Sequence, residues 1–84
     1  MSGIDLESAL SGRKVVGTKQ VLRALSEDGL SFVILAEDAD KGVIDKILRA
    51  ASERRTDVSF TPSKTELGRA AGIEVAAAAV GILK

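Results

Sequence analysis

The stretch GTKQVLR, Gly17 to Arg23, puts a lysine and an amide on what its apolar spacing makes the first turn of a helix, with an arginine one turn further on. The positive end of a helix dipole ordinarily favours acidic residues. Lys19 and Gln20 are poor capping residues there but well suited to meeting an anion. The first backbone N–H groups of a helix have no intrahelical acceptor and can reach phosphate or carbonyl oxygens. The side chains add base-edge chemistry: Lys19 can donate to guanine O6 or N7, Gln20 can pair with a base edge, and Arg23 can hold a phosphate or a second base. Together they read as a helix end that docks on RNA. Lys and Gln are also ordinary exposed helix residues, so a solvated surface is the competing reading of the motif by itself.

Other chemistry is poorly supplied. The chain of 84 residues has no histidine and no cysteine, which removes the usual general bases, thiol nucleophiles and transition-metal ligands. The run AEDAD offers Glu37, Asp38 and Asp40, whose oxygens suit magnesium. A strand end turning into a helix with Asp40 as its cap accounts for them more simply. GRAAG, Gly68 to Gly72, lacks both the dinucleotide spacing and the lysine–hydroxyl ending of a nucleotide loop, and its second glycine reads as a helix stop. Phe32 and Phe60 are the only aromatics and both fall in expected core strands, so no stacking platform for single strands is expected. The expectation is a protein that is not an enzyme, with no catalytic residue, cofactor or metal.

The elements that must carry GTKQVLR follow from periodicity. Ile4, Leu6, Ala9 and Leu10 suggest a short helix ended by Gly12, and Val15–Val16 a brief strand. The next helix is capped by Gly17 or Thr18, lined by Val21, Leu22 and Leu25, and stopped by Gly29. LSFVILAED contains an unbroken apolar run suited to a strand covered on both faces. Val43, Ile44, Ile47, Leu48 and Ala51 fall at helical spacing with Lys46, Arg49, Glu53 and Arg54 on the other side. A strand is expected over 57–60. SKTE, Ser63 to Glu66, has the capping-box form, so a helix should begin there and end at Gly72. The tail VAAAAVGILK mixes helix-favouring alanines with strand-favouring residues and is assigned as a strand. Alternating elements of this kind predict an α/β fold: a three-layer α-β-α sandwich with a central four-stranded mixed sheet, in one domain spanning residues 1–84.

Twelve basic and twelve acidic residues cancel, so the whole-molecule basic field typical of nucleic-acid binders is missing. The charges are unevenly placed, however. Between Ser8 and Ser26 stand Arg13, Lys14, Lys19 and Arg23 without an acid. The N-terminus has no basic segment followed by an apolar one, and the longest uncharged apolar run, Val75 to Leu83, is far shorter than the ~20 residues of a membrane helix. A cytoplasmic protein without membrane association is expected.

Three ordered blocks, VVGTKQVLRAL, VILAEDAD and SKTELGRAAGIEVAAAAVGI, resemble the kink-turn-binding ribosomal protein family, the L-seven-Ae and L-thirty-e group, and specifically its short bacterial branch. The resemblance runs from Lys14 to Leu83 and implies binding to RNA kink-turns, duplexes bent sharply at a bulge beside tandem sheared G·A pairs. It places Gly17, Thr18, Lys19, Gln20 and Arg23 at the helix tip that enters the widened major groove and reads the G·A pairs. It also puts Ile73, Glu74, Val75 and Ala76 in the loop that shields flipped nucleotides, and Asp40, Ile44 and Lys64 at further contacts to a flipped base. Archaeal and eukaryotic members typically carry Asn-Glu in place of Lys19-Gln20, and an arginine and a proline in place of Val75 and Ala76; the bacterial branch shares the Lys-Gln form. The implied partner is structured RNA, ribosomal or leader, with the ribosome itself a candidate and the protein a monomer. A protein-interaction module on the same layers is the alternative, favoured by the zero net charge.

Overall fold

The computed structural model describes residues 13–73 and 75–84. The helix expected around Ile4–Leu10 and the expected site residue Glu74 lie outside them. In chain order the elements are β1 (Lys14–Val16), α1 (Thr18–Ser26), β2 (Leu30–Ala36), α2 (Lys41–Glu53), β3 (Asp57–Thr61), α3 (Lys64–Ala70) and β4 (Ala79–Leu83). The sheet order is β1-β4-β2-β3. Strand β4 is antiparallel to both β1 and β2, and β2 is parallel to β3. Three strands therefore run one way and β4 runs against them.

Alternation along β2 builds the layers. Val33 and Leu35 pack with Val21 and Leu25 of α1 and Ile47 and Ala51 of α2, while Ile34 and Ala36 pack with Leu67 and Ala71 on the α3 side. Both faces of an interior strand are covered, which is why the sequence there is apolar without a break. The result is the expected α-β-α sandwich. In α1 the buried residues are Val21, Ala24 and Leu25, the i, i+3, i+4 stripe of a helix lying on a sheet.

The three helices among the described residues end in the same way. The N–H of Gly29 bonds to the carbonyl of Ala24, that of Thr56 to Ala51 and that of Ile73 to Gly68, with Asp28, Arg55 and Gly72 in the left-handed conformation just before. Each pairs otherwise orphaned C-terminal carbonyls. Gly72 is the stop the sequence suggests. After α1, however, the left-handed residue is Asp28 rather than Gly29, a conformation that Asp tolerates better than most residues.

Three further expectations are corrected. Phe60 is 49% exposed and not core, because β3 is the sheet edge with a single strand neighbour. Leu48 lies at the margin of the buried stripe of α2 and is partly exposed. In the tail only Ala79–Leu83 is strand; the preceding alanines form a loop whose backbone groups bond outside the sheet ladder, the Ala77 N–H to Lys64 and the Ala78 carbonyl to the Ala36 N–H.

Candidate nucleic-acid interface

Because β1, β2 and β3 run together, the turns that leave them lie at one end of the sheet, and the loop that enters the opposed β4 joins them there. This is the end of an open α/β sheet where ligands ordinarily bind. Gly17–Arg23 follow β1, Asp40 and Ile44 follow β2, Lys64 follows β3, and Ile73, Val75 and Ala76 precede β4. The segments are also stitched together. The Gly17 N–H bonds to Ala79 O at 2.9 Å, Ala36 N–H to Ala78 O at 2.9 Å, Glu37 N–H to Thr61 O at 2.8 Å and Ala77 N–H to Lys64 O at 3.0 Å. The topology thus brings the described members of the expected site to one end of the sheet.

At the start of α1, Gly17 occupies the cap position with φ 106° and ψ 151°, a region that is essentially glycine-only. Its carbonyl accepts the Val21 N–H, and it has no side chain with which to cap. A capping oxygen would bond to the second or third helical amide, here that of Lys19 or Gln20, so both point outward from the helix unclaimed by a cap. No acidic residue lies in the first turn. Lys19 and Gln20 are exposed, and among the described residues neither side chain makes a hydrogen bond or ion pair. Arg23 is exposed too, and its only ion pair among them is with Glu27 at 3.9 Å, a solvated contact worth little. Thr18 is half-buried at the first helical position.

The described residues of the loop before β4 are apolar. Val75 is 69% exposed, Ala76 is exposed and Ile73 half-buried. With Thr65 and Arg69 of α3 these residues line an open groove of about 320 Å³. Asp40 holds the cap position of α2, yet its carboxylate makes no capping bond; the expectation that it caps the helix is met in position only. Ile44 packs against both halves of the core, which ties it mainly to structure. Lys64 is half-buried and opens α3.

Sequence reasoning missed Asp38, Thr65 and Arg69. Asp38 belongs to the AEDAD run, which suits magnesium but reads more simply as a strand end turning into a helix; its Oδ1 in fact accepts the Lys64 N–H at 2.8 Å. Among the described residues no group of three or more acidic side chains is arranged to hold a metal ion. Nor is any helix among them long and apolar enough to cross a membrane. Thr65 and Arg69, four apart on α3, carried a signal in their i, i+4 spacing, which places them on one helix face.

The chain is similar to proteins named for RNA binding. An RNA-binding protein of Geobacillus sp. strain WCH70 is 49% identical over 74 residues, covering 88% of this chain and 90% of that protein. The RNA-binding protein YbxF of Geobacillus stearothermophilus is 47% identical over the same shares. Among solved structures, the Giardia lamblia 15.5kD RNA binding protein superposes with a TM-score of 0.77 at 25% identity, covering 94% of this chain and 68% of that one. Residues 5–84 match the model of the ribosomal protein L7Ae/L30e/S12e/Gadd45 family, and the chain is accordingly a non-enzymatic member of that family, in the short bacterial form represented by YbxF.

Proposed function

We propose that the protein binds RNA and that it recognises and stabilises kink-turns through the α1 tip, with ribosomal or leader RNA in the cytoplasm as its target and a monomer as the binding unit. One observation carries the reading: the first turn of α1 has no capping side chain and no acid, and it presents Lys19 and Gln20 exposed. The names of its relatives as RNA-binding proteins support the partner class. An A-form major groove is too narrow for side chains to read, so a helix tip of this kind suits RNA that is already bent and widened. Amide and ammonium donors meet the guanine edges there, and the neighbouring apolar loop of Ile73, Val75 and Ala76 covers unstacked bases. Binding then favours the kinked conformer out of a pre-existing equilibrium, with no bond-making step.

Zero net charge places the burden on these local contacts, since little long-range field assists. The test is a titration of the protein against a kink-turn RNA and against the same RNA with its sheared G·A pairs replaced by Watson–Crick pairs, at several salt concentrations. Strong preference for the first is expected. Equal affinity for both would remove the claimed specificity, and no affinity for either would favour the protein-interaction reading.

A further inference from the structure

Asp38 lies in the turn between β2 and α2, and its bond to the Lys64 N–H spans 26 residues of sequence. Lys64 is the first residue of α3, so this amide is one the helix itself cannot satisfy. Ser63 Oγ takes the Glu66 N–H instead, at 3.1 Å. The carbonyl of the same Lys64 accepts the Ala77 N–H at 3.0 Å. One turn on, Gly68 lets the neighbouring loop lie against α3, because a Cβ there would collide with the Val75 carbonyl. The chain of contacts runs from the turn that carries Asp40, through Asp38 and the Lys64 backbone, to the loop that carries Ile73, Val75 and Ala76.

We infer that Asp38 is a positioning residue: its carboxylate holds the first turn of α3, and through the Lys64 carbonyl it sets the placement of Ile73, Val75 and Ala76 against the β2–α2 turn. What this placement serves rests on the RNA reading above, whereas the linkage itself belongs to the free protein. Asp38 carries out a task that its neighbour Asp40, at the cap position of α2 without a capping bond, does not.

The full chain is compared as wild type, Asp38→Ala and Asp38→Asn, by amide hydrogen exchange and NMR shifts of the free protein and by titration with kink-turn RNA. Asn keeps an oxygen at the accepting position. In Asp38→Ala the Ala77 amide, which does not touch Asp38, is expected to exchange about ten-fold faster, the size of one lost hydrogen bond to a charged group. The resonances of Ile73 and Val75 shift, affinity of the folded protein for the kink-turn falls, and Asp38→Asn restores most of each. Unchanged Ala77 exchange and unchanged loop resonances, with only a lower melting temperature, would reduce Asp38 to a local helix cap and overturn the inference. Should Asp38→Ala not fold, Asp38→Glu keeps the charge but displaces the oxygen by one methylene. Faster Ala77 exchange in that variant supports the linkage, and wild-type exchange contradicts it. A wild type that binds no kink-turn would sink the RNA reading alone, because exchange in the free protein decides the linkage independently.

Discussion

Helix α3 begins with Ser63 Oγ on the Glu66 amide, Asp38 Oδ1 on the Lys64 amide and an acid, Glu66, in its first turn. Helix α1 begins with a side-chain-free glycine, no acid, and a lysine and a glutamine exposed over its free amides. Helix α2 is intermediate, with an acid at the cap position that bonds no amide. The same partial positive charge is thus neutralised within the protein at α3 and left without an acid or a capping side chain at α1. A capping Ser or Asp is worth only about a few tenths of a kcal/mol over glycine, and at φ 106° any side chain would be held under strain, so the backbone itself keeps this helix start uncapped. The difference teaches that the polar residues of a helix start are read best by what they leave unsatisfied.

The comparison breaks most readily at α1. Replacing Lys19 and Gln20 together by Ala should cost about 1–3 kcal/mol of kink-turn affinity for each base-edge contact while leaving the melting temperature near wild type, as titration and a thermal melt would show. A fall in melting temperature with no change in affinity would make the two residues structural. Gly17→Ala forces a β-carbon onto φ 106° and should destabilise the fold by about 1–3 kcal/mol, measured by denaturant unfolding. Gly68→Ala should cost about 1–3 kcal/mol by overpacking and weaken kink-turn binding as well, since the loop of Val75 and Ala76 must move. At α3 the expectation is reversed: Ser63→Ala removes a cap and about 1 kcal/mol of stability, with kink-turn discrimination unchanged. The smallest effect is electrostatic. Arg23→Ala, if it removes one phosphate contact, should flatten the salt dependence of RNA affinity by roughly 0.7 to 0.9 unit, read from titrations across a salt series.

The layers of the fold were legible because they follow local rules. The unbroken apolar run of β2 announced a strand covered on both faces, and SKTE announced the start of α3, where Ser63 does cap. What escaped depends on distant pairing. Within AEDAD the three acids look alike, and only the approach of α3 assigns Asp38 the Lys64 amide and leaves Asp40 without a capping bond. The alanines before Ala79 favour helix by propensity and strand by context; backbone bonds to Ala36 and Lys64 make them a loop. Phe60 sits in an apolar-looking strand, and its exposure follows from β3 being last in the sheet order. The GTKQ tip was legible as a helix start with unusual residues. Its union with Asp40, Lys64, Ile73, Val75 and Ala76 at one end of the sheet needed the strand directions.

The free amides at the start of α1 are the central feature of the proposed interface, and NMR of the backbone amides during titration with kink-turn RNA tests their role most directly. The Lys19 and Gln20 amides should shift strongly and become protected from hydrogen exchange in the complex, while the amides of Lys64 and Glu66, already bonded within the protein, change little in protection. Lys19 and Gln20 amides that stay unshifted and exchange-competent in a saturated complex would contradict that role.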